Sequence, residues 1–127
     1  MEVKMIDVSV HNGVIDWDKV KASGIGGVLM RCGYGSDIES QDDKMFKRNA
    51  DECSRLGIPF GVYLYSYAKN TDMAKSEADH ALRLVKGYKL SYPLYIDVEE
   101  ASQSRIAKDV VKVFCEAVKA AGYMPGV

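Results

Sequence analysis

Two periodicities alternate along this chain. Runs at Val3–Val10, Val28–Cys32, Pro59–Tyr67 and Pro93–Glu99 are rich in Val, Ile, Leu and Tyr, and each gives way to a turn or polar signal, which predicts short strands. Between them, apolar residues recur at helical spacing. Asp16 is placed to cap a short helix carrying Trp17 and Val20, stopped at Gly24. Asp42 or Asp43 opens a second, with Phe46, Ala50 and Cys53 on one face and Gly57 as its C-cap. Thr71 or Asp72 opens a third, with Ala74, Ala78, Ala81, Leu82 and Val85 inward and Gly87 as the stop. Ser102 or Ser104 opens a fourth, striped by Ala107, Val110, Val111, Phe114 and Val118 and ended by Gly122. The order βαβαβαβα, followed by Met124-Pro125-Gly126-Val127 as the start of a fifth strand, predicts a parallel sheet with right-handed crossovers. No linker, repeat or low-complexity run divides it, so residues 1–127 are expected to form a single domain.

An open doubly wound sheet and part of a (β/α) barrel both fit that order. The first strand-to-helix turn, Ser9-Val10-His11-Asn12-Gly13, lacks both GxGxxG and the P-loop pattern, which weakens the nucleotide-binding open sheet. Strands buried on both faces should be apolar throughout. These instead carry polar groups at period two: Met5, Asp7 and Ser9; Leu29, Arg31 and Gly33; Tyr63, Tyr65 and Tyr67; Tyr95, Asp97 and Glu99. The alternate positions, among them Val8, Met30, Val62, Leu64 and Ile96, are apolar and suit packing beneath helices. Polar residues gather at the C-terminal strand ends, where barrels place their chemistry. The expected fold is therefore α/β, a TIM-like barrel cut to about four βα units.

Charge and composition narrow the partners. With 17 basic and 18 acidic residues well mixed, the net charge of -1 gives no footprint for nucleic acid or an anionic membrane. The apolar runs are strand-length, and the start of the chain leads almost directly into a strand, so neither a membrane span nor a signal peptide is expected. Cys32, Cys53 and Cys115 lie within predicted strands or helices at mixed spacings, and a small buried hydrophobe accounts for each.

The sharpest chemical signal is Tyr95-Ile96-Asp97-Val98-Glu99. Two carboxylates two apart on a strand face the same way, with Cα atoms about 7 Å apart. In a partly dry pocket they cannot ionise equally, and the more enclosed one holds a proton toward neutrality. Glycosidic cleavage needs such a pair, one acid for the leaving oxygen and one carboxylate for the anomeric cation. Solvated acids at a strand end are the plain alternative. Asp7, at the corresponding end of strand 1, faces the same lumen. Arg31 can pair with a carboxylate there, and Tyr63, Tyr65 and Tyr67 offer flat surfaces for sugar rings, although a tyrosine row also serves core packing.

Asp7-Val8-Ser9-Val10-His11-Asn12-Gly13-Val14-Ile15-Asp16-Trp17 resembles the opening signature of the family 25 glycoside hydrolases, the Chalaropsis-type lysozymes. The resemblance continues through Arg31-Cys32-Gly33-Tyr34-Gly35, then Phe46, Asn49, Ala50 and Gly57. It then runs through Gly61-Val62-Tyr63-Leu64-Tyr65-Ser66-Tyr67-Ala68, Glu77-Ala78 and Pro93-Leu94-Tyr95-Ile96-Asp97-Val98-Glu99. It implies an N-acetylmuramidase that cuts peptidoglycan glycan strands at the cell wall without metal or organic cofactor. By motif position, Glu99 resembles the general acid. Asp97 would support the substrate's N-acetyl group or the charged transition state, and Asp7 would line the same subsite. Tyr65 and Tyr34 resemble sugar contacts, with Arg31 and Tyr67 beside them.

The family's barrel has eight strands, so the resemblance implies closing strands, and a further acidic residue from the C-terminal part, that residues 1–127 do not supply. An excised piece or natural truncation, a fragment that meets a complementing C-terminal partner, and two copies completing one sheet all remain open. A homo-oligomer or a complemented fragment is expected, with weak turnover or none. Two other functions stay on the table: a non-catalytic carbohydrate-binding or assembly module, and a metal-dependent hydrolase using His11, Asp97 and Glu99. His80 is expected on the outer side of its helix.

Overall fold

The computed structural model describes residues 4–127. In chain order the elements are β1 (Met5–Val8), α1 (Trp17–Ala22), β2 (Gly27–Tyr34), α2 (Phe46–Leu56), β3 (Phe60–Tyr65), α3 (Thr71–Val85), β4 (Leu94–Asp97), α4 (Ala107–Ala120) and β5 (Pro125–Gly126). Short 3-10 turns at Val10–Asn12, Glu39–Gln41 and Ala101–Gln103 follow β1, β2 and β4. The strands are all parallel and lie in the order β1-β2-β3-β4-β5. A doubly wound sheet reverses its strand order at a switch point, whereas a barrel adds strands in sequence. The chain is a sector of a TIM-like barrel. Val3, expected to open strand 1, lies outside the described residues.

The two faces of the sheet separate as the period-two pattern requires. Val28, Met30, Val62, Leu64 and Leu94 are fully buried, with Val8 and Ile96 close behind, and they pack under the helices. Ala74, Ala78 and Ala81 are also fully buried, and these small side chains let α3 lie close to β2 and β3. Trp17 is 1% exposed and donates through Nε1 to Asn49 Oδ1 at 3.1 Å, which pins α1 to α2.

The local signals hold in part. Asp16 caps α1 by accepting from Lys19 N at 3.2 Å, and Gly57, at φ +68°, ends α2 in a conformation open mainly to glycine. The cap of α3 is Asn70 rather than Thr71 or Asp72, its Oδ1 accepting from Met73 N at 2.7 Å. Neither Ser102 nor Ser104 caps α4. The 3-10 turn and Ile106 precede it, and the helix starts at Ala107.

A bulge in β2 changes the facing pattern. Register shifts between Arg31 and Gly33, so Gly33 pairs with Leu64 and Tyr34 with Tyr65. Gly33, expected on the lumen face, therefore turns toward α3, where an added Cβ would sit 2.9 Å from His80 Cε1. Tyr34 takes the lumen side instead. His80 itself is fully buried, a correction to its expected outward position. Its Nδ1 lies 2.9 Å from Gly35 O and its Nε2 2.7 Å from Asp42 Oδ1, because the loop after β2 folds over that flank of α3. Arg83 grips both Asp42 oxygens, at 3.0 and 2.6 Å, and also donates to Asp37 at 2.8 Å. Burial opposes ionisation of Asp42, yet Arg83 and His80 together hold it below the usual carboxylate range.

Candidate active site

The register of the sheet brings the acids together. Asp7 pairs with Leu29, Tyr63 with Tyr95 and Tyr65 with Asp97, so the C-terminal ends of β1, β3 and β4 form one rim. Asp7, Leu29, Tyr63, Tyr95 and Asp97 line a hollow of about 270 Å³ there. Asp97 is half-buried, and Glu99, two residues beyond it, is exposed. The two carboxyls are hydrogen-bonded, a contact that requires a proton between them. Burial, that bond and the charges of Glu99 and Asp7 push Asp97 up to about 6. Enclosure is the largest of these causes, so Asp97 is the carboxyl that keeps its proton toward neutral pH.

The tyrosines extend the rim. Burial first, and then a bond to the Asp7 carboxylate, raise the Tyr63 hydroxyl far above its ordinary range. Tyr65 donates to Glu100 Oε1 at 3.1 Å, and burial with that bond pushes its hydroxyl up to about 12. Glu100 is thus engaged and not merely solvated. The rings of Tyr65 and Tyr67 lie 5.1 Å apart and those of Tyr67 and Tyr34 5.9 Å apart, an unbroken aromatic strip leading away from the acids.

Arg31 pairs elsewhere than expected. Its Nε donates to Asp43 Oδ2 at 3.0 Å, and the same oxygen accepts from Val10 N at 2.9 Å. Asp43 Oδ1 accepts from Met45 N at 2.9 Å. Asp43, fully buried as a side chain, therefore fixes the turn after β1 and the start of α2, and Arg31 answers it rather than the carboxyl pair. The sequence marks Asp43 only as a helix opener, whereas α2 starts at Phe46 behind Met45 without a side-chain cap, and nothing in the spacing of Asp43 to Arg31 marks their bond.

Other surfaces offer less. A hollow of about 340 Å³ lies near the N-terminal end of β4, lined by Tyr88, Lys89, Tyr92, Pro93 and Tyr123, and no carboxylate lines it. Among the described residues, no group of three or more His, Cys, Asp or Glu is placed to hold a metal ion. Nor is any described helix long and apolar enough to cross a membrane.

Comparison with known proteins agrees with the geometry. The sequence profile of the glycosyl hydrolases family 25 matches residues 6–127, and the chain belongs to that family. It is 30% identical over 97 residues to the autolytic lysozyme of Clostridium acetobutylicum, covering 76% of this chain and 28% of that protein. The modular autolysin LytC from Streptococcus pneumoniae, solved in complex with a synthetic peptidoglycan ligand, superposes with a TM-score of 0.84 at 37% identity, over 95% of this chain and 30% of that one. A family 25 glycosyl hydrolase from Bacillus anthracis shares the fold at a TM-score of 0.78 and 23% identity, with 94% and 56% covered. The chain thus spans under a third of the first two relatives and about half of the third.

Proposed function

We propose that this chain carries the carboxylate pair of an N-acetylmuramidase that cleaves the β-1,4 bond between N-acetylmuramic acid and N-acetylglucosamine in cell-wall glycan strands. The observation that supports this best is the gathering of Asp97 and Asp7 around one hollow at the strand ends, with Glu99 two residues beyond Asp97 and the tyrosine strip alongside, where burial and Glu99 raise Asp97 to about 6. Glu99, the exposed member, reaches the glycosidic oxygen and gives it a proton as the bond to the anomeric carbon breaks. Asp97, then ionised, supports the positive charge at that carbon or the N-acetyl group that answers it. Water adds to the anomeric carbon and returns a proton to Glu99. Asp7 lines the same subsite, while Tyr65, Tyr67 and Tyr34 hold the sugars and Arg31 braces the wall behind them.

The test is release of reducing sugar from purified cell walls, with and without a chelator. The expected release is small, indifferent to the chelator, and falls as pH rises past about 6, when the pair loses its proton. Release abolished by chelation would favour the metal-dependent alternative. Sugar binding without any release would favour a non-catalytic module.

The reading extends to assembly. In the described residues β1 pairs with β2 alone and β5 with β4 alone, while Met5, at 41% exposure, and the partly exposed Leu29, Tyr63 and Tyr95 face the lumen. Unpaired edges beside such a face favour association, with a second copy or with a complementing C-terminal segment. Residues 1–127 act as a single incomplete barrel domain in this view. Light scattering across a concentration series is expected to give a dimer or larger, and a compact 14.1 kDa particle throughout would overturn it.

A further inference from the structure

Glu77 is fully buried on α3, and all its hydrogen-bond donors are neutral. Its Oε1 accepts from Ser66 Oγ at 2.6 Å and its Oε2 from Tyr67 N at 2.8 Å, with Ala68 N also turned toward it. Ser66 Oγ in turn accepts from Gln103 Nε2 at 2.8 Å and from Ala68 N at 3.3 Å. Gln103, also fully buried, donates to Ala68 O at 2.9 Å, and its own N–H donates to Glu100 O at 3.0 Å. The backbone completes the circuit, since Ser66 N donates to Asp97 O at 2.8 Å.

The proton positions in this chain of bonds are dictated. Ala68 O accepts only, so the amino end of Gln103 must face it and Ser66. Ser66 Oγ receives two donors, so its own proton must point to Glu77. Glu77 then accepts at both oxygens, which is the pattern of an ionised carboxylate. Burial opposes that ionisation and pushes Glu77 upward, against the pull of Ser66, Tyr67 and Ala68. A buried charge of this kind is costly. The segments it ties are the end of β3 with the residues that follow it, which carry Tyr65 and Tyr67, and the loop after β4, which carries Glu99 and Glu100.

We propose that Glu77 is a positioning residue for the carboxyl pair, its buried carboxylate setting the Tyr65–Ala68 segment and, through Ser66 and Gln103, the loop that bears Glu99. The proposal rests on the reading of Asp97 and Glu99 as the reacting pair. Glu77 touches no substrate. It holds Glu99 beside Asp97, where Glu99 helps to raise the Asp97 carboxyl.

The experiment is a carboxyl ¹³C NMR titration of the whole chain, which needs no substrate. Wild type is expected to show Asp97 titrating at about 6. In Glu77→Gln, an amide donor meets the donors of Ser66 or Tyr67, the loop loosens, and Asp97 should fall toward the ordinary carboxylate value of about 4. Ser66→Ala keeps the Tyr67 N bond to Glu77 and the Gln103 bond to Ala68 O but removes the hydroxyl that joins Glu77 to Gln103, and it should move Asp97 the same way. Far-UV circular dichroism establishes that each variant is folded. If Glu77→Gln does not fold, Ser66→Ala decides. Asp97 still titrating at about 6 in either folded variant would overturn the proposal. Both shifts in this chain, with no sugar released by a version whose barrel is complete, would defeat the muramidase reading and leave the role of Glu77 standing.

Discussion

Glu99→Gln, made in a version of this domain whose barrel is complete, is expected to lower turnover at least about a hundredfold, the usual effect of losing a positioned general acid. Gln keeps the shape and hydrogen bonding of Glu99 but cannot release a proton to a leaving oxygen. The fold should not suffer. Glu99 is exposed, and its bond to Asp97 and its charge help to raise Asp97 to about 6. The sign of the linkage follows from that direction. A carboxyl whose folded pKa lies above its unfolded value favours the folded state only while protonated, so stability is fully present below about pH 4 and is lost as pH rises through about 6. Removing the Glu99 charge relieves part of that loss, so thermal unfolding at neutral pH should occur at the same temperature or higher. Full activity in Glu99→Gln would remove it from the mechanism. A lower melting temperature would show that the pair braces the fold after all.

The parts of this protein that were legible in its sequence are those governed by periodicity. Alternation along Val62-Tyr63-Leu64-Tyr65 and Leu94-Tyr95-Ile96-Asp97 separates a helix-covered face from a polar lumen, and the residues fall on those faces. The pair at Asp97 and Glu99 was legible as a motif, but the strand expected to run to Glu99 ends at Asp97, so Glu99 is placed beside it by the loop after β4 and not by period two. Contacts made by loops were not. The bulge at Arg31/Gly33 swaps the faces of Gly33 and Tyr34, and no residue type in Arg31-Cys32-Gly33-Tyr34 announces it. His80 lies at the margin of the α3 stripe and is buried between Gly33 of β2 and the loop through Gly35 and Asp42, which closes over it. Arg31 finds Asp43, twelve residues on, because the chain doubles back after β2. Glu77 did leave a trace. It interrupts the Ala74, Ala78, Ala81 stripe with a carboxylate, and a charge at a buried helical position calls for donors that local sequence does not name.

Trp17→Ala is the largest stability change expected. The indole is 1% exposed between α1 and the body of the domain, so its removal costs both the transfer of a large apolar surface and the cavity left behind, about 3 kcal/mol or more. A second loss adds to it. Trp17 Nε1 is the donor to Asn49 Oδ1, and Asn49 is fully buried with its Nδ2 already unpartnered. The alanine variant would strand the whole amide, and a buried polar group without partners costs about 1–3 kcal/mol more. Because α1 is only six residues long and is held largely through this side chain, it should detach from α2 before the rest of the sheet unfolds. Urea unfolding followed by circular dichroism reads the total. Trp17→Phe separates the two contributions, since it retains most of the apolar surface and loses the donor, and it should fall between wild type and alanine. A nearly neutral Trp17→Ala accompanied by lost sugar binding would move this residue from the outer wall of the barrel to the substrate groove.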